Sequence, residues 1–162
     1  MPIVTNVIPL YNKEKYVTRA IRSVLSQTIS DFELIIVNDG STDNSLEVVE
    51  SFTDKRIRVI NQENMGPGYS RNVGIRKAQS ELVAFLDADD EWLPNYLEVG
   101  IELLRKNPSC ALVTQSYYVD SMENDRKSEY FTSGLQEGVT EVHRDLDIRK
   151  FSLMREFIYP WN

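Results

Sequence analysis

The chain has 162 residues, with one cysteine, one histidine and no long apolar run. A single thiol, Cys110, excludes an internal disulfide framework. Its neighbours Ala111, Leu112 and Val113 make it read as a small core hydrophobe. The lone His143 sits in the charged stretch Glu141-Val142-His143-Arg144-Asp145 and reads as a surface residue. With no His/Cys cluster, zinc is a poor fit. There is no Gly-x-Ser-x-Gly elbow and no Walker-type Gly-Lys-Ser. No apolar stretch approaches the roughly 18 residues of a membrane span. The opening Met1-Pro2-Ile3-Val4 enters a strand without the basic and apolar regions of a signal peptide. A cytoplasmic setting is therefore expected, with peripheral attachment at the inner face of a membrane left open. Basic residues are the minority: 18 Lys+Arg against 25 Asp+Glu, a net charge of −7 and a pI of about 4.8. Such a chain suits non-specific nucleic-acid binding poorly, because that needs clustered cations. A local basic pocket for a small phosphate ligand stays open.

What is present is ordinary for a globular protein: 41% hydrophobic and 27% charged residues. The length points to one domain, and a chain of this size buries about 70% of its unfolded surface.

Apolar runs alternate with helix-period segments. Strands are expected at Ile3–Pro9, Leu34–Val37, Ile57–Ile60, Leu82–Leu86 and Ala111–Val119. The first helix, capped by Asn12, carries Tyr16, Val17, Ala20, Ile21, Val24 and Leu25 inward. Asp39-Gly40 makes a turn, and Asp43 or Asn44 caps a helix with Leu46, Val49 and Phe52 inward. Gly66-Pro67-Gly68 is a turn before a helix over Tyr69–Ala78. Pro94 suits the first turn of a helix ending before Pro108, with Asp90 a candidate cap. After residue 120 the expectation is a loop over Ser121–Ser128, a short strand at Tyr130–Phe131 and a helix over Leu146–Phe157. Tyr159-Pro160-Trp161-Asn162 is an aromatic cluster that should pack on something, and the domain is expected to continue past it.

Strand–helix alternation implies right-handed crossovers and an α/β fold with a mostly parallel sheet. Ligands on such sheets bind outside the carboxyl ends of the strands. Those ends carry Pro9-Leu10-Tyr11-Asn12-Lys13, Asn38-Asp39-Gly40-Ser41 and Asp87-Ala88-Asp89-Asp90, and the third helix opens with Gly68, Ser70 and Arg71. Crowded carboxylates raise one another's pKa unless a cation sits among them. Asp87-x-Asp89 after a buried strand can hold Mg²⁺ or Mn²⁺, which takes one or two carboxylates and shares substrate phosphate oxygens. The plainer reading is helix capping. Asp39 can accept a ring N–H from uracil or guanine, or simply form the turn. Arg71 at a helix start suits a diphosphate, or is a surface arginine. Tyr11 can lie against a base, or is a half-buried aromatic. Arg76 and Lys77 read as solvated.

Four segments in this order resemble the family 2 glycosyltransferases, which have the GT-A fold. They are Val7-Ile8-Pro9-Leu10-Tyr11-Asn12, Glu33 through Asp43, Asn64-Met65-Gly66-Pro67-Gly68-Tyr69-Ser70-Arg71-Asn72, and Phe85-Leu86-Asp87-Ala88-Asp89-Asp90. The match covers about residues 3–106. The resemblance implies a hexosyl-type transfer from a nucleotide-diphosphate sugar, UDP-sugar foremost, to an acceptor hydroxyl with inversion. It implies a GT-A, Rossmann-like core over 1–120 and the start of an acceptor-side segment over 121–162. By motif position, Pro9 and Tyr11 line the base pocket, Asp39 binds the base, and Gly68, Arg71, Asp87 and Ala88 bind the nucleotide. Asp89 ligates Mn²⁺ or Mg²⁺. The acceptor is expected to be a glycan or a lipid-linked group, in cell-surface polysaccharide synthesis. The general base is expected beyond Asn162, with Glu156 and Asp147 candidates by residue type only.

Three alternatives stand beside this. One is a nucleotide-binding module, or an inactive fragment, without transferase activity. One is an NAD-dependent Rossmann oxidoreductase, read from Gly66-x-Gly68-x-x-Arg71 with Asp87 downstream, although a bulky arginine replaces the third glycine. The last is a nucleotidyltransferase, although residues 9–15 lack the glycine of a triphosphate loop.

Overall fold

The computed structural model describes residues 1–108 and, beyond them, short strands at 112–113, 118–119, 127–128, 142–143 and 158–160. The elements run β1 (Val4–Leu10), α1 (Val17–Leu25), β2 (Phe32–Asp39), α2 (Ser45–Glu50), β3 (Ile57–Gln62), α3 (Pro67–Lys77), β4 (Leu82–Phe85) and α4 (Tyr96–Lys106). The short strands are β5 (Leu112–Val113), β6 (Tyr118–Val119), β7 (Lys127–Ser128), β8 (Val142–His143) and β9 (Ile158–Pro160).

The sheet order is β3-β2-β1-β4-β9-β5-β8. β1 to β4 are parallel, while β9 is antiparallel to both β4 and β5. Every residue of β1 and β2 is buried, as expected for central strands with both sheet faces covered. Alternation sorts them into two cores. Val4, Ile8, Leu10, Leu34 and Ile36 face α1, α2 and α4. Val7, Ile35, Val37, Val83 and Phe85 face α3.

Strand order reverses beside β1: the chain steps outward to β2 and β3, then returns to β4 on the other side. Ligand crevices on such sheets lie at that reversal. β1 pairs with β4 only as far as Val7↔Phe85. Ile8–Leu10 continue alone on that side, and a gap opens between the two strand ends.

Several boundaries differ from expectation. Asn12 does not cap α1, whose N-cap is Tyr16. Asn12 instead adopts φ 51°, and its Oδ1 accepts the N–H of Thr42 at 2.8 Å. Tyr16 is exposed rather than inward. Helix α3 begins at Pro67, so the turn glycine is Gly66, with φ 87°. Asp90 is not a cap, since α4 is preceded by Asn95. The fifth strand expected over Ala111–Val119 is two short strands, β5 and β6, in different sheets. Lys127–Ser128 is a strand paired with β6 rather than loop. His143 lies in β8, opposite Leu112. The aromatic end contributes Ile158–Pro160 as a strand beside β4. Cys110, Tyr130–Phe131 and the helix expected over Leu146–Phe157, with Asp147 and Glu156, lie outside the described residues.

The close packing of α3 is set by Gly74. A Cβ there would sit 2.3 Å from Cγ1 of Val7. Gly68, in the same helix, meets nothing within 4 Å. Gly74→Ala should therefore lower unfolding stability by about 1–3 kcal/mol through overpacking, despite the better helix propensity of alanine. Gly68→Ala should be neutral or gain up to about 1 kcal/mol. Urea denaturation of both variants measures the contrast.

Candidate functional site

The reversal point holds a cleft of about 420 Å³. The end of β1 contributes Pro9, Leu10, Tyr11 and Lys13, and β2 contributes Asp39. Asn64, Gly66, Pro67, Ser70 and Arg71 come from the loop after β3 and the first turns of α3. Asp87, Ala88 and Asp89 follow β4. Segments nearly 80 residues apart in the chain thus share one crevice, as the strand-end reading requires. Gly68 is the exception among the expected residues, because it does not line the cleft. Gly66 takes the position against it.

Asp39 is 2% exposed. Its Oδ1 accepts hydrogen bonds from Gln62 Nε2 at 2.6 Å and from the Met65 N–H at 2.9 Å. Its Oδ2 accepts the Gly66 N–H at 2.8 Å. Burial alone would push its pKa up. The Met65 N–H, the Gln62 amide, the Gly66 N–H and the Ser70 hydroxyl outweigh burial and hold it below the ordinary aspartate value. Gly40, at φ 71°, allows this arrangement: a Cβ there would lie 3.0 Å from the Asn64 nitrogen.

Asp87 and Asp89 each have a basic partner from a different element. Arg71 Nη2 bonds Asp87 Oδ1, and that pair is 27% and 23% exposed. Lys13 Nζ lies 2.7 Å from Asp89 Oδ2, and that pair is more open, 37% and 40%. The hydrogen bond to Asp89 raises the Lys13 pKa above its ordinary value, against the opposing effect of burial. Tyr11 is 46% exposed at the cleft wall, with its ring accessible.

Two sets of supporting residues were not read from the sequence. The first joins the loops after β1 and β2. The Asn12 N–H bonds Ser41 Oγ, the Lys13 N–H bonds Ser45 Oγ at 2.8 Å, and the Glu14 N–H bonds Asp43 Oδ2 at 3.1 Å. The second is Arg19, Ser23 and Gln27, spaced four apart. Arg19 Nη2 donates to the Asp89 carbonyl at 2.6 Å, Ser23 Oγ accepts the Trp92 N–H, and Gln27 bonds both Leu93 O and the Leu97 N–H. Polar residues recurring every fourth position beside the apolar stripe of α1 were the available signal. Lys13 was visible only as one cation beside a carboxylate-rich edge.

For a divalent cation, the donor set is carboxylate oxygen. Among the described residues no three His, Cys, Asp or Glu side chains group as a metal cage. Carboxylate oxygen is the donor type of Mg²⁺ or Mn²⁺, which keep several waters and use one or two carboxylates plus phosphate oxygens. Asp89, open to the cleft, fits this role. Among the described residues no helix is long and apolar enough to cross a membrane.

Comparison with known proteins places the chain in a family. The glycosyl transferase family 2 model matches residues 5–159. An uncharacterized glycosyltransferase of Nostoc sp. is 40% identical over 125 residues, covering 75% of this chain and 38% of that protein. The chondroitin synthase of Escherichia coli is 35% identical over 136 residues, covering 83% and 19%. The structure of S. aureus TarS 1–349 matches with a TM-score of 0.74 at 27% identity, covering 98% of this chain and 47% of that one. Its complex with UDP-GlcNAc matches at 0.63 with 31% identity, covering 68% and 33%. The chain spans less than half the length of each of these proteins. By the extent of the family match and the shared GT-A fold, this chain belongs to glycosyl transferase family 2.

Proposed function

We propose that residues 1–120 form the donor-binding core of an inverting glycosyltransferase that uses a UDP-sugar and a divalent cation. Residues 121–162 then begin its acceptor side. The observation that carries this reading is the convergence of Tyr11, Asp39, Arg71 and Asp89 on one cleft. The UDP-GlcNAc complex of TarS supports a uridine donor. The chondroitin synthase relative supports a glycan acceptor in polysaccharide assembly; we extend the proposal to a lipid-linked acceptor and to work at the cytoplasmic face of a membrane.

Asp39 already accepts from Gln62, Met65, Gly66 and Ser70, so a base reaching it shares its oxygens with these donors. The single ring N–H of uracil makes a smaller demand on it than the adjacent ring N–H and amino group of guanine. Tyr11 and Pro9 supply flat and apolar surface for the base.

The diphosphate adds negative charge to a cleft that already holds three carboxylates and two basic side chains. A divalent cation at Asp89 would offset that charge and stabilise the leaving group as the bond to the anomeric carbon breaks. The acceptor oxygen attacks that carbon from the opposite face. The electron pair of the broken bond stays on the leaving diphosphate oxygen, and the acceptor proton goes to a general base. Asp39, Asp87 and Asp89 are each committed to amides or cations, which assigns them to holding the donor rather than to taking that proton. The oxidoreductase reading loses its footing against the family 2 match over residues 5–159.

Asp89→Ala should abolish the Mn²⁺-dependent gain in UDP affinity by calorimetry. Its unfolding free energy should change by less than about 1 kcal/mol, because the pair it breaks is half exposed. Equal UDP affinity of both proteins at saturating Mn²⁺ would remove Asp89 from the site. Asp39→Asn should weaken UDP about tenfold or more and lower stability at neutral pH by about 1–3 kcal/mol, because an amide group then faces N–H donors. The folded pKa of Asp39 is depressed, so its contribution is complete above the usual value of about 3.9 and is lost as pH falls through the folded pKa. The stability gap between the two proteins should therefore close only in that acid range.

A further inference from the structure

The two carboxylate–cation pairs in the cleft are built differently. Arg71 and Asp87 form the inner, less exposed pair, with a guanidinium fixed on α3. Lys13 and Asp89 form the outer pair, with an ammonium on a flexible stem. The Lys13 backbone is held from both sides. Its N–H bonds Ser45 Oγ, and its carbonyl accepts the N–H groups of Tyr16 and Val17 at 2.9 and 3.0 Å. Its side chain meets Asp89 at 2.7 Å, and the nearest ring to its ammonium, that of Tyr16, is centred 5.9 Å away. A fixed root with a half-exposed tip allows the tip to change partners without moving the fold.

We propose that Lys13 is an exchangeable counter-ion, holding Asp89 while the cleft is empty and passing to the donor's diphosphate when Asp89 takes a divalent cation. This rests on the assignment of Asp89 as the metal ligand. The cation and the ammonium compete for Asp89 Oδ2. A diphosphate arriving with the cation is the one new anion that can receive the displaced ammonium in the same crevice. Lys13 thus disfavours metal alone and favours metal with nucleotide, which couples the two ligands.

Lys13→Met keeps the stem and removes the charge. Two affinities read the exchange. Mn²⁺ binding without nucleotide, followed by the free-ion paramagnetic resonance signal, should tighten about two- to fivefold, the size of a half-exposed ion pair. UDP binding at saturating Mn²⁺, followed by calorimetry, should weaken about tenfold, the loss of a charge-assisted bond. Lys13→Arg should keep UDP affinity within about twofold of wild type, since the charge is retained. Opposite signs for the two ligands in Lys13→Met support the exchange. A parallel loss of both affinities, with a lowered unfolding midpoint, would mean that Lys13 only shapes the loop and would overturn it. No change in either affinity would overturn it too. Asp89→Ala separates the two layers. If it leaves Mn²⁺ affinity at the wild-type value, the metal assignment fails and the exchange fails with it. If it removes Mn²⁺ binding while Lys13→Met changes nothing, only the exchange fails.

Discussion

Three carboxylates at one end of a sheet repel one another, and the cleft exists because each is met by a different kind of positive partner. Asp39 is held by two backbone N–H groups and an amide, Asp87 by a guanidinium and Asp89 by an ammonium. The distinction has consequences. Backbone donors are fixed by the fold, so Asp39 stays ionised and oriented whatever enters the site. The ammonium beside Asp89 sits half exposed on a flexible stem, and the proposed exchange rests on that difference. The same residue type therefore serves as a rigid acceptor at one position and a replaceable one at another.

The partners arrive from separate elements, so the charge balance is a product of topology. β1 and β2 pair in register from Val4↔Phe32 to Leu10↔Asn38, which sets Tyr11 and Asp39 at the same edge. β4 stops short of that edge and delivers Asp87 and Asp89 across the gap. The loops after β1 and β2 then bind each other through Asn12, Ser41, Asp43 and Ser45. These crosslinks fix the root of Lys13. On the far side, Arg19 holds the Asp89 carbonyl, so the backbone of the acidic turn is anchored independently of its side chain. Preorganised backbone with adaptable side chains lets a site accept a charged ligand with little rearrangement.

The sequence disclosed the parts that depend on short-range pattern. Leu34–Val37 and Leu82–Leu86 read as buried strands because they are continuous apolar runs; the first lies within β2, and the second is a strand as far as Phe85. Their ends then named Asp39, Asp87 and Asp89. Asn12 misled because an Asn before an apolar stripe is a good helix cap. Here a tertiary partner, the Thr42 N–H, claimed its oxygen instead. Gly66 and Gly68 are alike in sequence, and only the backbone shows that Gly66 carries the positive φ. The pairing of Lys13 with Asp89 spans 76 positions, and no periodicity reports a contact of that range. β9 was hidden for the same reason: its place beside β4 is a long-range pairing.

The opposite end of the sheet shows why charge alone does not mark a site. Glu33 is a carboxylate more deeply placed than Asp87 or Asp89, with its side chain 8% exposed. Its Oε1 accepts from Thr5 Oγ1 at 2.7 Å and from the Gln79 N–H, and its Oε2 pairs with Arg58 at 3.0 Å. These partners close it from solvent, and it joins β1, β2, β3 and the end of α3 away from the cleft. Asp39 and Asp89 differ from it in place, since both line the cleft at the carboxyl ends of the strands. Position at the crevice, rather than burial or ionisation, separates these carboxylates from Glu33.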